Sequence, residues 1–113
     1  MHEMSLSMDT VDLVVEQATQ QGFNKVTKVW LEIGVLSCVE PDTIKFCFDL
    51  AAKETIAQDA KLEIVPKAGE AHCYDCDKAV SLAQRGESCP ICQGYKLKVL
   101  QGDEMRIKEI EVE

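Results

Sequence analysis

The stretch Cys73-Tyr-Asp-Cys76, followed after twelve residues by Cys89-Pro-Ile-Cys92, constrains this chain more than any other. Two Cys-x-x-Cys pairs at that distance bring four thiolates onto one tetrahedral ion. Each pair makes a tight turn whose sulfurs point inward while turn amides donate to them, which favours the thiolate a metal needs. Pro90 and Gly94 suit the second turn, Pro by fixing its backbone angle and Gly by tolerating positive φ. Four protein ligands leave no open position, so Cys73, Cys76, Cys89 and Cys92 read as a structural Zn(II) site that holds shape.

Other uses of the cysteines fit less well. Disulfides need an oxidising compartment, and the opening Met1-His2-Glu3-Met4 has no basic region, apolar stretch or cleavage site, so a cytoplasmic location is expected. A thioredoxin-like redox centre needs only one such pair. Iron in a rubredoxin-like site accepts the same spacing and stays open beside zinc, because a tetrahedral sulfur cage suits either ion. Cys38 and Cys47 stand apart from the pairs and are expected to pack as small hydrophobes.

A module of the size the cysteines span cannot bury enough core alone, so a chain of 113 residues is expected to tie it by metal to a small domain. The net charge of −8 disfavours phosphate backbones, which removes the common nucleic-acid role of zinc ribbons. No apolar run approaches membrane-spanning length.

Periodicity supplies the rest. Met4, Met8, Val11, Val15 and Ala18 alternate at steps of four and three, the face of a helix over about 4–21 that ends at Gly22. Val29, Leu31 and Ile33 form the buried face of a strand closed by Gly34. Pro41 and Asp42 open a second helix with a core stripe of Ile44, Cys47, Phe48 and Ala51. Phe46 and Leu50 lie nearly opposite that stripe, where they offer a contact surface. Lys61–Pro66 is a short strand with Leu62 and Ile64 inward, and 66–69 reads as a hinge into the cysteine module. Met105 and Ile107 lie on one phase and Ile110 and Val112 on the other, so a bulge near Lys108 or Glu109 would keep all four inward. The expected fold is α+β: two helices on a small three-stranded mixed sheet, residues 1–66 with 104–113, carrying an inserted four-cysteine zinc ribbon, residues 67–103.

The N-terminus is the other chemical feature. His2 Nδ1 and the His2 amide nitrogen close a six-membered chelate ring on a metal, and the Met1 amine adds a five-membered ring. Such planar nitrogen sets suit Ni(II) or Cu(II), with Glu3 as fourth donor through its amide or its carboxylate. A histidine near a chain end is also an ordinary solvated residue, and the two readings stand side by side.

Taken together, the opening Met-His-Glu-x-Ser-Leu, the strand Trp30-Leu-Glu-Ile-Gly34 with Leu36-Ser-Cys-Val-Glu40, the paired Cys-x-x-Cys motifs and the closing Gly102-Asp-x-x-x-Ile-Lys-x-Ile-Glu closely resemble the hydrogenase nickel-insertion metallochaperones of the HypA/HybF type. HybF-like members are nearest in wording, and the resemblance covers essentially the whole chain. It implies a carrier that binds Ni(II) weakly at His2, with Met1 and Glu3 as supporting donors, and delivers it for maturation of the nickel-iron hydrogenase large-subunit precursor. A HypB-type GTPase is the implied partner. The assembly state stays open, a homodimer included. Some relatives carry an aspartate near position 40, where Glu40 stands here, and histidines beside the cysteines, where only His72 stands here. His72 reads either as a solvated side chain or as a modulator of the cysteine site.

The alternative function is a zinc-stabilised adaptor that binds a partner through Phe46 and Leu50 or the ribbon and transfers no metal. An enzyme is not expected, because no nucleophile–base pair, phosphate loop or open metal site is visible.

Overall fold

The computed structural model describes residues 2–113. In chain order the elements are α1 (His2–Gln20), β1 (Val26–Gly34), α2 (Pro41–Ala52), β2 (Lys61–Lys67), β3 (Gly69–Cys73), β4 (Lys78–Leu82), β5 (Leu97–Gln101) and β6 (Met105–Val112). They form two three-stranded sheets, β2-β1-β6 and β4-β3-β5. The chain divides into two compact units, one of residues 1–31, 39–64 and 107–113 and the other of residues 32–38 and 65–106.

In the first unit, α1 starts at His2 rather than after it, and it ends as expected at Gly22. There φ is +84°, while Phe23 N–H bonds Ala18 C=O and Gly22 N–H bonds Thr19 C=O, a Schellman cap that glycine adopts without strain. The buried face is Ser7, Thr10, Val11, Val14 and Ala18, not the one that Met4, Met8 and Val15 would define. Met8 is exposed. Hydroxyls decide this phase: Ser7 Oγ donates to Ile44 C=O and Thr10 Oγ1 to Leu6 C=O, so two polar residues enter the core satisfied. On α2, Glu40 is the N-cap and accepts from Asp42 N–H at 2.9 Å. Ile44, Cys47 and Phe48 are buried as expected, with Ala52 taking the place assigned to Ala51.

β1 buries Val29, Leu31 and Ile33 as its alternation requires. Its partners run in opposite senses, which makes the sheet mixed. Lys25 pairs with Glu113 and Gly34 N–H with Glu104 C=O, an antiparallel relation to β6. Lys28 pairs with Glu63 and Val35 N–H with Lys67 C=O, a parallel relation to β2. In β6 the half-buried positions switch phase between Lys108 and Glu109.

The second unit holds an antiparallel ribbon, with Cys73 opposite Lys78 on β4 and Leu97 on β5. Its small core packs Leu36, Ala71 and Leu82 with Leu97 and Val99. Three glycines close it. An added Cβ at Gly34 would lie 2.0 Å from the Gly102 carbonyl oxygen, and one at Gly69 would lie 2.5 Å from Leu82 C=O and 2.7 Å from Leu36 Cγ. Gly102 has φ +91° and faces Ala68 C=O. Expected as a hinge, residues 66–69 instead continue β2 to Lys67 and enter β3 at a buried Gly69.

Candidate metal centres

The ribbon sets the cysteines. Cys73 ends β3, Cys76 sits in the β3–β4 turn, and Cys89 and Cys92 lie in the turn before β5. Asp77 and Gln93, each one residue past a cysteine pair, take positive φ of 53° and 63°, which curls both turns over the sulfurs. All four sulfurs lie within 4.8 Å of one another, and this is the cysteine cluster expected from the spacing. Cys73 and Cys89 are wholly buried against Val80, with Cys76 and Leu97 packed on them, while Cys92 is on the surface.

Turn amides reach the sulfurs as the motif requires. Cys76 N–H points at Cys73 Sγ (3.5 Å) and Ile91 N–H at Cys89 Sγ (3.4 Å). The Cys92 amide, outweighing burial and aided by Ile91, brings the Cys89 thiol down to about 6. Burial, aided by the neighbouring thiols, pushes Cys76 up to about 12. The Gly94 amide favours the Cys92 thiolate, but hydrogen bonding with Cys73 and burial prevail and raise it. Four thiols this close cannot all ionise without a cation among them, which is the electrostatic form of a metal cage. Gly94 belongs to it, since a Cβ there would stand 3.4 Å from Cys92 Sγ.

The remaining cysteines differ from each other. Cys47 is buried on α2 as expected. Cys38 is not a packing residue: it is exposed, with φ +63°, in the loop after β1. The left-handed backbone at this loop position turns the side chain outward, away from the core that Leu36 joins two residues earlier. His72 lies on β3 with Nε2 3.6 Å from Asp77 Oδ1 and its ring edge-on to Tyr74, so it is engaged rather than freely solvated.

The N-terminal donors are placed in part. His2 is exposed in the first turn of α1. Glu3 is half-buried, and its Oε2 accepts from Glu40 N–H at 3.5 Å. Met1, expected as a supporting donor, lies outside the described residues. The Glu3–Glu40 contact was not visible in the sequence, although Glu40 immediately before Pro41 and Asp42 carries a helix-start signal. Arg85 was also missed; its guanidinium donates to Leu36 C=O at 2.9 Å and ties the loop after β4 to the loop after β1.

Comparison with known proteins joins this geometry to a function. A family model described as hydrogenase/urease nickel incorporation, metallochaperone, hypA matches residues 1–112. The hydrogenase maturation factor HypA of Aeromonas salmonicida is 61% identical over 112 residues, 99% of each chain. That of Rhodopseudomonas palustris strain BisA53 is 51% identical over 113 residues, 100% of each. The solution structure of the Ni metallochaperone HypA from Helicobacter pylori matches with TM-score 0.72 and 26% identity over 97% of this chain and 96% of that one. A second HypA solution structure matches with TM-score 0.74 and 27% identity, over 99% and 96%. The family match makes the chain a metallochaperone by class. The chain belongs to the HypA family of hydrogenase nickel-incorporation metallochaperones.

Proposed function

We propose that this protein takes up one Ni(II) at its N-terminus and passes it, with a HypB-type GTPase, to the nickel-iron hydrogenase large-subunit precursor in the cytoplasm. His2 binds the metal, with the Met1 amine and Glu3 as supporting donors. Zn(II) stays at Cys73, Cys76, Cys89 and Cys92. Residues 1–66 with 104–113 then handle nickel, and 67–103 form the zinc module.

The observation that carries the nickel reading is the place of His2. It is exposed in the first turn of α1. The first amides of a helix have no intrahelical acceptor, so the His2 and Glu3 nitrogens are not held by the helix ladder. A planar set of amine, amide and imidazole nitrogens suits Ni(II). Few ligands at an exposed end permit exchange with a partner's site, as delivery requires. For zinc, the support is metric: Sγ–Sγ separations of 3.6 Å (Cys73–Cys92) and 4.0 Å (Cys76–Cys89) bracket the edge of about 3.8 Å of a tetrahedron with Zn–S of about 2.3 Å.

Native mass spectrometry of untagged protein, before and after Ni(II) addition, tests this on wild type and His2→Ala. The variant keeps its fold, because the side chain is exposed and alanine favours helix. One zinc in both proteins and one nickel in wild type alone is the expected result. Zinc with no specific nickel in either would leave a zinc-stabilised adaptor as the better account.

A further inference from the structure

We propose that the outer face of α1 and α2 is a docking groove for a partner's amphipathic segment whose apolar residues are flanked by Lys or Arg. This surface does not depend on where nickel binds.

Within the first unit, Met4, Met8, Asp12, Leu50 and Ala51 line a cavity of about 290 Å³. Phe46 adjoins it one turn before Leu50 on α2, since residues four apart share a helix face. The groove is apolar and open to solvent: Phe46 is 65% exposed, Met8 53% and Leu50 39%. None of these side chains is needed for the core, which Val11, Val14, Ile44 and Phe48 fill. Large exposed apolar side chains gathered in one concave place mark a contact surface. Two methionines make it adaptable, since unbranched thioethers reshape around a guest at little cost. A shallow trough between two packed helices takes a helix laid lengthwise.

Charge selects the occupant. α1 carries Glu3, Asp9, Asp12 and Glu16 and no Lys or Arg; α2 adds Asp42 and Asp49 against Lys45 alone. Asp12 lies in the groove wall itself. A second copy of this chain would bring the same acidic helices against these, and anionic lipid or nucleic acid would be repelled in the same way. A cationic, apolar segment satisfies both features.

The test uses zinc-loaded full-length protein, isotope-labelled, and synthetic helical peptides of about five turns. One has a Leu/Lys pattern with a single apolar stripe, one the same pattern in Leu/Glu, and one is the Leu/Lys composition scrambled. The Leu/Lys stripe peptide should shift the amide signals of Met8, Phe46 and Leu50, and the Leu/Glu and scrambled peptides should not. Phe46→Gln should weaken binding about tenfold, as loss of an aromatic anchor does, with the amide spectrum otherwise unchanged. Shifts spread evenly over the acidic surface, or equal binding of the scrambled peptide or of Phe46→Gln, would overturn the proposal. So would dilution shifts confined to this groove without peptide, which would make a second copy its occupant, or binding of the protein to phosphatidylserine vesicles through it.

Discussion

Glu3 Oε2 accepts a hydrogen bond from the backbone N–H of Glu40, while the Glu40 carboxylate accepts from Asp42 N–H and caps α2. The turn that carries His2 is therefore tied to the start of α2 through a side chain, not by helix propensity alone. Because that carboxylate is engaged, Glu3 is expected to serve nickel through its amide nitrogen. Glu3→Gln keeps an acceptor and should hold nickel affinity within roughly threefold, whereas Glu3→Ala should lower thermal stability by about 0.5 kcal/mol as an exposed hydrogen bond is lost. Nickel titration and thermal melts of both variants check this; a large nickel loss in Glu3→Gln would assign the carboxylate to the metal.

Cys89→Ala should release zinc and unfold the ribbon, because metal binding supplies much of a small module's folding free energy and Cys89 is wholly buried among the ligands. Cys38→Ala, at an exposed position, should leave zinc content unchanged, and Cys47→Ala should cost about 1 kcal/mol at most. Metal analysis with amide spectra separates the three. Zinc retained at full content in Cys89→Ala would mean that three thiolates suffice.

Gly34→Ala would place a methyl carbon on the Gly102 carbonyl, and backbone cannot yield as a side-chain tip can. A loss of about 3 kcal/mol or more is expected. Gly86→Ala, at φ +86° with open space around the new carbon, should cost only about 1–2 kcal/mol of backbone strain. Denaturant titration of both ranks the effects, and equal losses would show that conformation rather than contact sets the cost.

Acid should strip the metal from the four-cysteine site. Cys89 is held as thiolate down to about 6, below the ordinary thiol value of 9.0. A depressed value contributes stability that is present above the ordinary thiol range and is lost as pH falls through the folded value. Zinc release, followed with a chromophoric zinc indicator from pH 8 downward, is therefore expected to advance as pH falls, the raised Cys76 and Cys92 thiols taking protons before Cys89 does. Zinc content that does not change with pH would contradict thiolate protonation as the route of release.

The cysteine cluster was legible because its signal is local: two turns, each written in four residues, although the positive φ expected of Gly94 falls on Gln93 instead. The same holds for β1, whose alternation is strict, for the α2 start at Pro41-Asp42, and for the phase switch in β6. These features depend on neighbours within a turn or a strand, so the residues alone determine them. Tertiary structure decided the rest. Which stripe of α1 faces inward depended on whether Ser7 and Thr10 could find acceptors, and Ser7 finds Ile44 C=O only once α2 is in place. Gly34 reads as a strand end and Gly69 as part of a hinge, yet both, with Gly102, are needed because segments distant in sequence approach to backbone contact there. The tie between Glu3 and Glu40 spans thirty-seven positions and exists only when α1 and α2 pack. Local chemistry fixed the metal cage, whereas long-range packing fixed the surfaces around it, because a hydrogen bond or a steric limit between distant residues leaves no pattern along the chain.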